Sequence, residues 1–295
     1  MGEVLRPRRS ALYMPGANER ALEKAAGLPA DVLILDLEDA VAPDAKAEAR
    51  DRVAAAAASG RYAPREVVIR VNGLGTEWYD DDVAAAAHAG PDGILVPKVG
   101  SPDDVARIEA ALVAAGAPDS TRIWAMVETP IAMLQALDIC RASERLAVLV
   151  MGTNDLAKEL QAAHVPGRQP LLAGLGLALL GARAAGKVIL DGVFNDIKDP
   201  EGFEAECRQG REMGFDGKTL IHPSQLEPCN RVFAPTEAEL DSARRIIEAF
   251  EAAQAEGRGV VTVDGRMVEN LHVDQARRAL AQDEAIRTLE AAVTR

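Results

Sequence analysis

The 295-residue chain has little cysteine, little histidine and no long apolar run, and each scarcity removes a class of function. Its three cysteines, Cys140, Cys207 and Cys229, stand far apart. They support neither a disulfide framework nor a CxxC metal site, and they read as reduced structural thiols. The four histidines, His88, His164, His222 and His272, show no ligand spacing. That removes a histidine-based metal centre, and His222, beside a proline, reads as a capping or buried residue. No segment approaches the roughly 20 apolar residues of a bilayer span, and the opening MGEVLRPRRS has basic residues without the apolar core of a secretory signal. The expected location is the cytoplasm. Positive charge is scarce too, with 33 Lys and Arg against 46 Asp and Glu, a net charge of -13. These cations are dispersed among acids, which argues against a nucleic-acid surface, so any anionic ligand must be held by a local group.

What the chain does have is apolar residues, 48% of the total, enough for one large α/β domain with an appendage or for two ordinary domains. Short apolar runs recur along it. ALYM (11–14), DVLILDLED (31–39), EVVIRVN (66–72), GILVPKV (93–99), IWAMVET (123–129), LAVLVMGTNDL (146–156), KVILDGVFND (187–196) and GKTLIHP (217–223) read as eight strands. Ala-rich segments of helical spacing such as DAKAEARDRVAAAAA lie between them, opened by Asp or Ser-Pro in capping style. Eight β-then-α units predict a (β/α)₈ barrel over residues 1–223. The alternative, an open doubly wound sheet, lacks a glycine-rich dinucleotide turn after the first strand. After Pro223 the pattern changes to a helix, a short hairpin at GVVTVDGRMVE and a last helix, so residues 224–295 read as a C-terminal extension or lid.

The run IWAMVETPIAM ends its apolar stretch in Glu128, followed at once by Thr-Pro. Alone, such an acid is an ordinary loop residue. Nearly every other strand ends the same way, however: Pro15 and Gly16, then Asp36, Glu38 and Asp39, Arg70 and Asn72, Lys98, Asp155, Asn195 with Asp196, and His222. In a barrel these ends share one face, the face that carries catalysis in this architecture. Several acids without a histidine or thiolate pair suit a hard divalent ion held by oxygen. Magnesium, with manganese as the alternative, needs only one or two protein carboxylates, for which Glu128 and Asp155 suffice. Asp155 has a structural alternative as the cap of the helix beginning at LAKEL. The N–H groups of Gly152, Thr153 and Asn154 would face an anion at the same turn. Arg70 offers a fork for a carboxylate, or else pairs with a strand-end acid. GARAAGKV (181–188) is set aside as a phosphate loop, because Val188 replaces the required Ser or Thr and the motif ends a helix rather than opening one.

The segments YMPGANERALEKA, LILDLEDAVAP, IRVNG, ILVPKV, MVETP, GTNDLAKEL, DGVFNDIKD and GKTLIHPSQ, in this order, resemble the citrate lyase β-subunit-like branch of the HpcH/HpaI aldolase superfamily, which also contains malyl-CoA and citramalyl-CoA lyases. The resemblance spans almost the whole chain. It implies a magnesium-dependent barrel, trimeric or hexameric, that makes or breaks a carbon–carbon bond in a 3-hydroxyacyl thioester. It further implies Glu128 and Asp155 as metal ligands and Arg70 as the holder of the 2-oxo acid carboxylate. Asp36, Glu38 and Asp39 would order waters and form the site floor. Arg20 and Lys24 would meet the coenzyme A phosphates, with Pro223 near the adenine or pantetheine; read from the residues alone, Arg20 and Lys24 are a solvated helix face shared with Glu19 and Glu23. Where the family's lid carries Asp, this chain has Glu269, with Asp264 and Asp274 nearby in sequence. The extra methylene moves the carboxyl, so rate or substrate choice would change.

The function the resemblance implies is cleavage of a malyl-CoA-type or citramalyl-CoA-type thioester into acetyl-CoA, or a homologue, and a 2-oxo acid. The alternatives are a citrate lyase β subunit acting on a carrier-protein thioester, a malyl-CoA thioesterase, and a metal- and CoA-binding subunit or sensor without turnover.

Overall fold

The computed structural model describes residues 5–255 and 261–293. Eight parallel strands close into a barrel in sequence order. They are β1 (Ser10–Pro15), β2 (Val32–Asp36), β3 (Glu66–Arg70), β4 (Gly93–Val96), β5 (Arg122–Val127), β6 (Leu146–Met151), β7 (Val188–Asp191) and β8 (Gly217–Leu220), and β8 pairs back onto β1. A closed barrel has no edge strands, which excludes the doubly wound alternative. The strands are shorter than their apolar runs suggest: the run 31–39 is extended only to Asp36, and 187–196 only to Asp191. Beyond these points polar side chains capture backbone N–H groups, and the chain turns away from the ladder. Asp36 accepts from the N–H groups of Glu38 and Ala40 in this way.

The alternation of side chains along the strands decides what reaches the barrel mouth. Ala11, Val32, Ile34, Val68, Leu95, Trp124, Met126, Val148, Val150 and Leu190 form one buried cluster inside the barrel, while their chain neighbours pack outward against the helices. One further step of two places Tyr13, Asp36, Arg70 and Glu128 in the next inward layer. The same step puts Gly152 after β6 and Gly192 after β7, where no side chain competes for space.

Contacts divide the chain into two compact units, Arg8–Phe233 and a second one made of residues 5–7 with those after Phe233. The expected division at residue 223 lies one helix earlier. Helix Leu226–Phe233 buries Leu226, Cys229, Val232 and Phe233, and it belongs to the barrel unit. The second unit has helix Glu237–Ala255, the antiparallel pair β9 (Val261–Val263) and β10 (Arg266–Val268), and helix Asn270–Val293. Its hairpin turns through Asp264 and Gly265, both at positive φ, the pairing that matches strand twist. Phe250, Val268 and Val273 form its small core. No helix among the described residues is long and apolar enough to cross a membrane.

One buried ion network stitches β7 to β8 between the sheet and its helices. Asp191 and Lys218, both fully buried, pair at 3.0 Å; Arg168 meets Asp191 at 2.6 Å, and Glu206 meets Lys218 at 2.7 Å. Burial alone would raise the Asp191 carboxyl, but Lys218 and Arg168 outweigh it and hold the group below its ordinary range. A depressed folded-state value means that this contribution to stability is complete above about pH 4 and is lost as pH falls further. Asp191→Asn leaves buried Lys218 and Arg168 to share the single carboxylate of Glu206 and is expected to cost about 3–5 kcal/mol in urea unfolding while reducing the loss of stability on acidification. A variant within about 0.5 kcal/mol of the parent would show the network to be dispensable.

Candidate active site

The C-terminal ends of the strands surround a cavity of about 330 Å³. Its floor is an ion pair across neighbouring strands. Asp36 and Arg70 are register partners on β2 and β3, and Arg70 donates Nε and Nη2 to the two Asp36 oxygens at 2.6 and 2.7 Å. The Arg70 guanidinium also stacks on the Tyr13 ring, 4.7 Å from its centroid. Its remaining nitrogen, Nη1, faces Glu38 at 2.7 Å and Asp39 at 3.3 Å. Asp36 is thus held by four donors, two from Arg70 and two from the loop, and is a fixed anchor. Buried Lys46 secures that loop from behind by donating Nζ to the carbonyls of Leu37 and Glu38.

Glu128 lies opposite, on the turn after β5, and is 3% exposed. The Lys98 backbone N–H donates to its Oε1 at 2.9 Å, which requires Lys98 to adopt a left-handed φ of 57°. That conformation is costly for a residue with a side chain, and here it turns a donor into the mouth. A Cβ on Gly152 would sit 2.2 Å from Glu128 Oε2, so the glycine is the space into which the carboxylate fits. Burial first, then the charges of Asp155 and Glu38, push the Glu128 carboxyl up to about 8. Asp155 sits in the first turn of helix Thr153–Glu159, where no side chain caps the N-terminus; it instead faces Lys98 Nζ at 3.4 Å. The capping alternative for Asp155 is therefore overturned. Glu38 is likewise pushed up to about 7, by burial against the pull of Arg70 and with Asp39 and Asp36 adding repulsion.

This arrangement fits a hard divalent cation. Burial, and after it the charges of Asp155 and Glu38, make an ionised Glu128 costly at the mouth, and a dication would offset that cost. Among the described residues no group of three or more His, Cys, Asp or Glu closes around one point. Two ligating carboxylates with the other positions left to water and substrate is the usual habit of magnesium.

The other residues singled out in the sequence divide by place. Pro15, Asp39, Thr153, Asn154 and Asn195 line the same cavity, where the Asn154 and Asn195 amides form a reciprocal pair at 2.7 and 3.2 Å. Gly16 packs on the Asp36 carbonyl. Asn72 is buried and bonds Asp82 and Leu37, tying β3 to helix Tyr79–Ala89. His222 caps the turn that begins at exposed Pro223. Arg20 and Lys24 lie one helical turn apart on the exposed part of helix Glu19–Ala25, beside β1. Glu269 belongs to the other compact unit, exposed just before helix Asn270–Val293, where its N–H donates to His272 Nδ1. Asp264 pairs with Arg245 at 3.1 Å. The sequence reading missed Tyr13 and Lys46; counting in steps of two from Ala11 would have found Tyr13, whereas nothing local marks Lys46.

Fold and site together define a barrel enzyme with an acidic, cation-ready mouth. The chain belongs to the HpcH/HpaI aldolase/citrate lyase family, whose model matches residues 9–223, and residues 176–285 match a group of carbon–carbon bond lyases of the TIM-barrel fold. It is 54% identical to a (3S)-malyl-CoA thioesterase of Cereibacter sphaeroides over 97% of this chain and 98% of that one. It is 38% identical to the citrate lyase β subunit of Escherichia coli over 95% and 94% of the two chains. A solved structure of CitE from Mycobacterium tuberculosis in complex with magnesium, acetoacetate and coenzyme A superposes with a TM-score of 0.75 at 30% identity, covering 93% of this chain and 97% of that one.

Gly152→Ala is expected to expel Glu128 from its slot and lower divalent-cation affinity about 10- to 100-fold, with helix content unchanged by circular dichroism. Manganese titration followed by electron paramagnetic resonance measures it. Parent-like affinity would mean that the site does not depend on Glu128 occupying this position.

Proposed function

We propose that the protein is a magnesium-dependent enzyme acting on the coenzyme A thioester of a 3-hydroxy acid of the malyl-CoA type, with hydrolysis to the free acid and coenzyme A as its net reaction. The observation that carries this reading is the carboxylate pair Glu128 and Asp155 at the barrel mouth, in a chain 54% identical almost end to end to a (3S)-malyl-CoA thioesterase. Glu128 and Asp155 would hold the cation, magnesium or alternatively manganese. Once bound, it supplies a Lewis acid and a template for the hydroxyl and carboxylate oxygens of the substrate.

The chain's own residues do the rest. Arg70 would meet the substrate carboxylate through Nη1, the nitrogen that Asp36 does not take, with the substrate displacing the contacts Nη1 makes to Glu38 at 2.7 Å and Asp39 at 3.3 Å. Asp36 keeps that fork from swinging, and rigidity matters where a shift of about 1 Å costs on the order of a hundredfold in rate. Glu38, with its carboxyl at about 7, accepts the proton released as water adds to the thioester carbonyl and returns it to the coenzyme A thiolate as the C–S bond breaks, and Asp39 sustains its raised affinity for that proton. The backbone turn Gly152-Thr153-Asn154 and the Asn195 amide line the path of the acyl group. Arg20 and Lys24 meet the coenzyme phosphates; β1 and β8 are neighbours, so the Pro223 turn lies on the same part of the rim. In a trimer or hexamer, Glu269 would serve the site of a neighbouring subunit.

A second reading, carbon–carbon cleavage to acetyl-CoA or a homologue and a 2-oxo acid, is favoured by the family match itself. Hydrolysis adds water to the thioester carbonyl and breaks its C–S bond, whereas carbon–carbon cleavage takes the proton of the 3-hydroxyl, breaks the bond to the thioester α-carbon and returns a proton to that carbon. Glu269, where the resemblance places Asp, supports hydrolysis, because a displaced lid carboxyl weakens proton transfer at the thioester α-carbon.

Incubation with magnesium and (3S)-malyl-CoA, with mass spectrometry of all products, separates these readings. Malate and free coenzyme A without acetyl-CoA are expected. Acetyl-CoA and glyoxylate in equal amounts would establish the second reading, and intact malyl-CoA would refute both. Glu128→Gln is expected to lower turnover at least about a hundredfold. Because Glu38 works as the deprotonated base, the rate should rise with pH through about 7, and Glu38→Gln should lower the rate and flatten that acid limb. An unchanged limb in the variant would assign the base elsewhere.

A further inference from the structure

Tyr13 gives the barrel mouth more than a ring. It projects from β1 into the same inward layer as Asp36, Arg70 and Glu128, and it lines the cavity with them. One face of its ring carries the Arg70 guanidinium, 4.7 Å from the centroid. Stacking of this kind needs only an aromatic face, which a phenylalanine supplies as well. The hydroxyl is an additional feature, and its surroundings determine what it can bind.

Among the described residues the Tyr13 hydroxyl makes no hydrogen bond, yet it is not sealed. The Trp124 indole N–H and the Tyr79 hydroxyl are buried without partners, whereas the Tyr13 hydroxyl keeps accessible surface. Tyr13 is half-buried and part of the cavity lining, so that surface faces the cavity. The acids of its layer are turned elsewhere. Asp36 is filled by its four donors, Glu38 pairs with Arg70 Nη1, and Glu128 takes the Lys98 N–H. Burial, and against the pull of Arg70 the charges of Asp36, Glu128 and Glu38, hold the phenol above its ordinary range. It therefore stays a neutral O–H throughout the working pH range, able to donate to an incoming anion.

We infer that Tyr13 is a substrate-binding residue whose hydroxyl donates to one oxygen of the carboxylate on the hydroxyl-bearing carbon of the thioester, while Arg70 Nη1 takes the other. A small 2-oxo acid is held by the same pair. With the ring centroid 4.7 Å from the guanidinium carbon, the hydroxyl lies within about 8 Å of that carbon, and a carboxylate using both oxygens can span such a gap with a hydrogen bond of about 2.8 Å at either end. Two donors fix the plane of the carboxylate as well as its position, which a single donor does not. The inference rests on the proposed reading of the mouth, which assigns that carboxylate to Arg70.

The test is calorimetric titration of the full-length protein with glyoxylate and with pyruvate at saturating magnesium, in the parent and in Tyr13→Phe. The variant keeps the ring and its stack and removes only the hydroxyl. Both acids are expected to bind about 10- to 100-fold more weakly to it, the usual effect of one hydrogen bond to a charged group. Manganese affinity by electron paramagnetic resonance and the thermal midpoint should stay at the parent's values, which a role in packing or in holding the cation would shift. In turnover of (3S)-malyl-CoA, KM should rise with kcat nearly unchanged, because the carboxylate is held alike in the ground and transition states. Parent-like affinity of Tyr13→Phe for both acids would overturn the assignment, as would an altered manganese affinity or a fall in kcat at constant KM. The mouth reading would survive each of these. If neither acid binds the parent, the reading of the mouth falls, and the assignment of Tyr13 falls with it.

Discussion

The two-pronged ion pair between Arg70 and Asp36 is the constraint on which the mouth of this barrel depends. A guanidinium buried among apolar strands is tolerable only when its charge is met at close range and its donors are filled. Asp36 does both, on the neighbouring strand and in register, and uses its remaining capacity to fold the loop that brings Glu38 and Asp39 forward. The positive charge so fixed partly offsets the acids around it. Burial and mutual repulsion still leave Glu38 and Glu128 well above ordinary carboxylate values, so that these carboxyls bind positive charge, a proton or the proposed cation, more strongly than exposed ones do.

Much of this was legible in the sequence because barrels alternate strictly. Once β2, β3 and β5 are located by their apolar runs, a step of two from Ile34, Val68 and Met126 delivers Asp36, Arg70 and Glu128 to one layer. Less legible was anything that depends on the precise stop of a strand or on a side chain reaching across the fold. Asp155 read as a metal ligand with a helix cap as the alternative, and only the tertiary position of Lys98 shows what it faces. Arg70 offered two partners in the sequence reading, and the register of β2 against β3 supplies Asp36. Lys46 and Arg168 carry no local signature, since the carbonyls and carboxylates they bind lie on other elements. The barrel's extent was misjudged by one helix because Leu226–Phe233 is amphipathic like its predecessors, while the sequence change at Pro223 was read as a boundary.

Two charge systems of different purpose lie on adjoining parts of the barrel. The network of Asp191, Lys218, Glu206 and Arg168 is sealed between sheet and helices and balances its own charge, so it serves the fold. The mouth does the opposite. It leaves the acids Glu38, Asp39, Glu128 and Asp155 in excess over Arg70 and Lys98 around an open cavity, where the proposed cation and substrate carboxylate would balance them.

The central claim is that Glu128 and Asp155 form a cation site over an intact Arg70–Asp36 floor, and anomalous diffraction from crystals soaked in manganese tests it most directly. The account predicts one strong peak about 2.0–2.2 Å from an oxygen of each carboxylate, with both Arg70–Asp36 bonds still in place. A peak elsewhere in the barrel, or an Arg70 released from Asp36 to make room for the ion, would contradict it.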